Sequence, residues 1–215
     1  APDANARNVT VSFIDYIKNV ASSEIYPTWD ESAIRANIYA QISYALNRVY
    51  TEYYRSRGYN FDITNTTQFD QAFVKDREIF QNIGFIVDDI FNDYIRRQGN
   101  IEPLFAAFCD GREVTCDGLS QWGTVPLAQE GLSAFEILEN YYGDDIELVV
   151  NAPLQDNLPS YPGTPLSRGQ TLCSRNGTAG IIMKMSALVK YFFTIFYLDN
   201  SISYCISNFM VMTCK

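Results

Sequence analysis

Glu24 is the residue whose type and position first suggest chemistry. Ser12 to Asp15 forms an S-x-x-[DE] capping box, the signature of a helix start. Behind it Phe13, Ile17 and Val20 recur at helical spacing, and Glu24 is the next member of that stripe. A carboxylate that continues an apolar stripe is partly withdrawn from water. Desolvation disfavours its charged form and lifts its pKa. A lifted carboxyl is what a general acid needs near neutral pH. The spacing leaves a second reading open, in which the helix ends by Ser22 and Glu24 is a solvated surface acid.

The chain has no histidine. That removes Ser-His-Asp and Cys-His catalysis, histidine-based zinc sites and the usual proton shuttle. Acid–base work falls to Asp, Glu, Lys, Tyr or Cys. The loop "DGLSQWGT", Asp117 to Thr124, sets a Gln and a Trp between two glycines. Gln121 can donate and accept hydrogen bonds, and Trp122 offers an apolar face with one N–H donor. Such a loop is either a binding wall for a sugar ring or a turn pinned to the core by its Trp. The five cysteines are irregularly spaced, which is not a disulfide framework. Cys109 and Cys116 are near enough to pair; a disulfide or free thiols is the reading, and a metal is the weaker one.

These residues need elements to position them. The second helix runs from a cap at Asp30 towards Gly58, with Ile34, Ile38, Ile42, Ala45, Val49 and Tyr53 on one face. "YNFDITNTTQFDQAF" reads as a short strand with a polar turn, and Arg77 to Phe91 as a helix. "RRQGN" is a hairpin turn, followed by a strand from Ile101 to Phe108. A short helix through Leu127 and Ala128 ends at Gly131. Ser133 to Glu136 is a second capping box, opening a helix that stops at Gly143, and "DIELVV" alternates as a strand. The fold class expected is α+β, with mixed helices and mostly antiparallel strands in one domain over 1–150.

A seam follows. Residues 151–170 are a Pro/Gly/Ser-rich linker. The first 170 residues carry 12 Lys and Arg against 24 Asp and Glu, whereas the last 45 carry four against one. All four methionines lie in that tail, 171–215. Its run "GIIMKMSALVKYFFTIFYL" is interrupted by Lys184 and Lys190, and reads as an interfacial helix, a packed helix, or a degenerate or frame-shifted second module. The start, "APDANARNVT", shows no basic or apolar leader region and reads as the interior of a longer protein. The net charge of −9, without a basic stripe, makes nucleic acid a poor partner. The 29 Tyr and Phe residues are mostly core, with material left for stacking on sugars.

Four segments in order resemble one family. They are "DYIKNVASSEIYPTW", "ESAIRANIYAQISYALNRVY", "PLFAAFCDGREVTCDGLSQWGT" and "EGLSAFEILENYYGDDIEL". Together they are similar to the stage II sporulation protein D family (the SpoIID-like domain), related to the N-terminal region of the amidase enhancer LytB. The resemblance covers roughly residues 8–150. It implies peptidoglycan remodelling by a lytic transglycosylase, which cleaves the β-1,4 bond from N-acetylmuramic acid to N-acetylglucosamine and leaves a 1,6-anhydro end. It places the catalytic role on Glu24, and substrate binding on Ser120, Gln121 and Trp122, with Tyr44 and Tyr141 as weaker binding candidates. No cofactor is called for. The partners it implies are peptidoglycan glycan strands and other cell-wall hydrolases, in a cell-wall or extracytoplasmic setting. An alternative is a non-catalytic peptidoglycan-binding or amidase-enhancing module.

Two departures weigh on catalysis. The family's long helix commonly reads "AARTYAL", and here "AQISYAL" puts Ile42 at the Arg position. The family's "GHGVG" run is replaced by "VTCDG", with Thr115 near the His position, so the zinc ligation of some members is not expected here.

Overall fold

A computed structural model describes residues 2, 6–152, 154–155, 206–207 and 209–214. Strand β1 (Arg7–Ser12) leads into helix α1 (Phe13–Glu24). Ser12 Oγ accepts the Asp15 N–H at 3.2 Å, so the expected cap is in place. One face of α1 buries Phe13, Tyr16, Ile17, Val20 and Ala21. The helix reaches Glu24 rather than ending at Ser22, and Ile25 closes it in extended conformation.

Helix α2 (Glu31–Tyr50) is the centre of the molecule. Fifteen of its twenty residues are buried, which is the pattern of a helix covered on nearly all sides. It packs against α1, α3 (Gln81–Ile90), α4 (Thr124–Gln129) and α5 (Ala134–Tyr142). The helix stops at Tyr50, short of Gly58. Glu52 turns left-handed at φ +49°, which folds Tyr53 and Tyr54 back over Arg48. Gly58 instead closes a 3-10 turn at Arg55–Arg57 with φ +86°.

Helix α3 starts at Gln81, not at Arg77. Phe80 is extended, and its N–H bonds to Ser22 Oγ at 3.3 Å, so the preceding turn is tied to α1 instead of winding. Next come β3 (Tyr94–Arg97) and the expected turn through Gly99. Strand β3 pairs antiparallel with β6 (Ile146–Val149), Tyr94 opposite Val149. The strand expected over Ile101 to Phe108 is mostly absent. Leu104 N–H reaches Ile95 O at 2.8 Å, but Ala106 and Ala107 then bond two residues back and break the ladder. Only β4 (Phe108–Cys109) remains, parallel to β5 (Leu119–Ser120). The second capping box forms as expected, with Ser133 and Glu136 bonded reciprocally at the start of α5.

The remaining strands are β2 (Ile63–Thr64), β7 (Leu154–Gln155), β8 (Ile206–Ser207) and β9 (Phe209–Cys214). Strand β9 lies between β1, antiparallel, and β2, parallel, while β7 and β8 pair in parallel. The fold is α+β, with five α-helices and small antiparallel and parallel sheets among the described residues. No helix among the described residues is long and apolar enough to cross a membrane. Most of the linker 151–170 and the apolar run from Gly180 to Leu198 lie outside the described residues.

Candidate active site

Glu24 is the last residue of α1, and three donors converge on it. Its Oε1 accepts the Ala72 N–H at 2.7 Å. Its Oε2 accepts Gln41 Nε2 at 2.9 Å and Gln121 Nε2 at 3.3 Å. Burial lifts the carboxyl to a pKa of about 7, and the bonds from Ala72, Gln41 and Gln121 pull the other way without overcoming it. Glu24 keeps a partial opening to solvent. A carboxyl half-protonated near neutral pH can give a proton in one step and take one in the next.

The segment 70–74 brings Ala72 to this carboxylate, and each of its residues has a partner. Asp70 bonds Arg48. Gln71 accepts the Tyr16 hydroxyl at 2.7 Å and donates to Gln41 O at 3.0 Å. Phe73 stacks on Tyr16 at 5.9 Å. Val74 exchanges two bonds with the Asn19 side chain, at 2.8 and 2.9 Å, much as a neighbouring strand would. Helix α1 therefore supplies both the acid and the clamp that presents a backbone donor to it.

Gln41 comes from the buried face of α2. Its Oε1 is buried and has no hydrogen-bond partner among the described residues. A deprotonated Glu24 wants the Gln41 amide N–H; a protonated one wants an acceptor. Rotation of the Gln41 amide by half a turn supplies that acceptor from the idle Oε1. Replacing the amide with an apolar group removes a charge-assisted bond. We expect Gln41→Leu to move the Glu24 titration upward from about 7, read by carbon NMR of the carboxyl. An unchanged midpoint would show that Gln41 does not stabilise the carboxylate.

The loop that carries Gln121 is held from both ends. Gln121 N–H bonds Cys109 O at 2.9 Å and Trp122 N–H bonds Asp110 O at 3.0 Å. Thr124 Oγ1 donates to Gln121 O at 2.7 Å and accepts Asn37 Nδ2 from α2 at 2.9 Å. Trp122 packs edge-on against Trp29 at 4.9 Å and against Tyr26 at 5.2 Å, tying the loop to the α1–α2 connection. The Arg112 guanidinium sits 3.3 Å from the Trp122 ring centre. Asp110 fixes the loop before it by accepting the N–H groups of Arg112, Glu113 and Val114, which holds its carboxyl below the usual range. Cys109 and Cys116 form a disulfide that closes the same loop. Both thiols are thereby committed, so this loop offers no thiolate ligands for zinc. Among the described residues no three of His, Cys, Asp or Glu gather as a metal site.

Glu24, Gln121 and Trp122 come together. Ser120 stands one residue away and is otherwise engaged: its Oγ accepts Gly123 N–H at 3.0 Å and bonds the Tyr141 hydroxyl. The contact is close, since a Cβ at Gly111 would lie 1.8 Å from Ser120 Oγ and one at Gly123 would lie 2.3 Å from the Tyr141 hydroxyl. Tyr44 is buried in the hydrogen-bond cluster around Asp70 and is not among the partners of Glu24. Ile42 is fully buried, so the apolar stripe of α2 continues through the position where the resembled family carries Arg. The residues that sequence reasoning passed over are Gln41, Ala72, Tyr26 and Trp29. Gln41 left a trace, as a polar residue next to Ile42 in an otherwise apolar helix. The Ala72 contribution is a backbone N–H and left none.

Compared with known proteins, the chain matches no family model, no curated protein and no solved structure.

Proposed function

We propose that the protein is a peptidoglycan-remodelling enzyme of the lytic transglycosylase type, with Glu24 as both acid and base. The observation that carries this reading is the Glu24 carboxyl, held by three donors on a loop and helices that also bring together Tyr26, Trp29 and Trp122, with burial lifting its pKa. Protonated Glu24 gives its proton to the glycosidic oxygen, and the bond from C1 of N-acetylmuramic acid to O4 of N-acetylglucosamine breaks. Charge builds on the sugar as an oxocarbenium-like transition state. The resulting Glu24 carboxylate takes the proton of the muramyl 6-hydroxyl as that oxygen closes on C1. The product is a 1,6-anhydro sugar. The substrate supplies the nucleophile, so one carboxyl serves where glycosidases use two. Mass spectrometry of digested glycan strands tests the reading, with anhydromuropeptides as the expected product.

The buried Ile42 and the absence of histidine favour a second reading, a peptidoglycan-binding or amidase-enhancing module that keeps the fold without turnover. Both readings require the aromatic wall. Trp122→Ala is expected to abolish co-sedimentation with cell-wall sacculi while the far-ultraviolet circular dichroism stays unchanged. Retained co-sedimentation would remove Trp122 from the binding surface. A parent chain that binds sacculi but yields no anhydro product would favour the second reading.

A further inference from the structure

A recess adjoins the aromatic cluster, between the start of α2 and helix α3. It is an open groove of about 440 Å³. Trp29 is one wall, and the same residue packs against Trp122 on the side of the candidate active site. Phe85, 64% exposed, also lines it. Around the rim stand Glu31, Arg35, Asn82 and Asp89. Arg35 bridges Glu31 and Asp89 at 2.7 Å each, which fixes the three groups relative to one another. Their carboxylates stay largely exposed, so lone pairs remain for a ligand. Asn82 donates to Pro27 O at 2.7 Å, which anchors α3 to the connection carrying Trp29 and leaves its own Oδ1 as an acceptor.

Phe85 makes this groove more than a crease between helices. Helix α3 buries Ile83, Ile86, Val87 and Ile90, so it has no packing need for a large ring on its outer side. Tyr26, 52% exposed, adds a second uncovered ring on the same aromatic run through Trp29. Flat apolar faces bordered by fixed hydroxyl-binding groups suit a pyranose ring, whose two faces are apolar and whose edge is polar. Charge narrows the occupant. The rim sets two carboxylates against one guanidinium, on a chain of net charge −9. An acidic peptide stem is repelled there, whereas an uncharged sugar is not.

Building on the glycan reading above, we propose that this groove is a second saccharide subsite, taking an uncharged N-acetylhexosamine unit of the strand whose scissile bond lies at Glu24. Trp29 lines this groove and packs on Trp122, whose neighbour Gln121 reaches Glu24, so it is the wall along which the strand passes from Glu24 to the groove. The subsite makes affinity depend on chain length.

Calorimetric titration of the full chain with the β-1,4-linked trimer and hexamer of N-acetylglucosamine tests this. The parent is expected to bind the hexamer at least about 10-fold more tightly than the trimer, as one added stacking contact of about 1.4 kcal/mol requires. Phe85→Ala should lower hexamer affinity to the trimer level and leave the trimer within about 2-fold. Phe85→Tyr should retain the parent's length dependence. Trp122→Ala should weaken both oligomers alike. A hexamer advantage that survives Phe85→Ala, or equal affinity for the two lengths in the parent, overturns the subsite and leaves the glycan reading standing. Failure of the parent to bind either oligomer overturns the glycan reading and the subsite with it.

Discussion

Under the proposed reaction, Glu24→Gln is expected to reduce anhydromuropeptide release by about 100- to 10,000-fold and to leave sacculus binding within about 2-fold of the parent. The first number is the usual worth of a positioned acid–base group. The second follows from what the substitution preserves. Gln has the size of Glu, and its carbonyl oxygen still accepts from Ala72 N–H or from the facing amides. The new NH2 group needs an acceptor, and Gln41 Oε1, buried without a partner, provides one when its amide rotates. The pocket therefore keeps its shape while the proton that must move is gone. Equal product release by parent and variant would sink the acid–base role of Glu24.

The same carboxyl sets two pH dependences that run in one direction. The first step of the proposed reaction needs the protonated form, so kcat/KM is expected to fall as pH rises through about 7. Stability follows linkage. The folded pKa of about 7 lies above the ordinary value of 4.5, so between those values the native state holds more protons than the unfolded state. Stability from this group is complete below pH 4.5 and is lost as pH rises through about 7, by up to roughly 3 kcal/mol. Urea unfolding of the parent at pH 5 and pH 8 should show that loss, and Glu24→Gln should lack it. An identical pH slope in parent and variant would mean that Glu24 is not the group being titrated.

Glu24 shows how far a single chain can be read before its contacts are known. Its place on the stripe from Phe13 through Val20 was legible, because helical spacing and the Ser12 cap are local. Its surroundings were not. Ala72 reaches it across 48 residues and Gln121 across 97, and no local pattern encodes such meetings. The aromatic cluster is similar: Tyr26 and Trp29 lie in a short connection with no periodicity, and only the fold sets them against Trp122. Strand β3 escaped because "YIRR" is four residues long and half charged, while the neighbouring turn carried the visible signal. The end of α2 was misjudged for a different reason. Nothing in "RVYTEYYRSRG" breaks a helix before Gly58, and the break comes from the Arg48 cluster that pulls Tyr53 and Tyr54 back. Tertiary demand outweighed local propensity there.

That cluster is where stability is most exposed to a single change. Asp70 is fully buried and accepts five hydrogen bonds. Arg48 Nε reaches Oδ1 at 2.8 Å and the Tyr44 hydroxyl reaches it at 3.1 Å. The Tyr54 hydroxyl, Thr64 N–H and Thr64 Oγ1 reach Oδ2 at 2.6, 2.9 and 2.7 Å. Burial and the adjacent carboxylate push both tyrosines well above their ordinary range, so they stay neutral donors. Asp70→Ala removes the shared acceptor of these groups, leaving the Tyr44 hydroxyl only Phe69 O to donate to, and leaves a buried guanidinium without its counter-ion. Breaking a buried pair from one side typically costs about 3–5 kcal/mol. Against a total stability of about 5–15 kcal/mol, that is a large share. The urea midpoint should fall accordingly. Removing both charges should hurt less than removing one, so Asp70→Ala combined with Arg48→Met should recover part of the loss. The damage should also reach the Glu24 carboxyl, because Asp70 opens the segment that presents Ala72 N–H to it. With that donor loosened, the Glu24 carboxyl rises above about 7. A single variant with an unchanged urea midpoint would mean that the cluster is satisfied by water. One that loses stability while the Glu24 titration stays put would uncouple the cluster from the site.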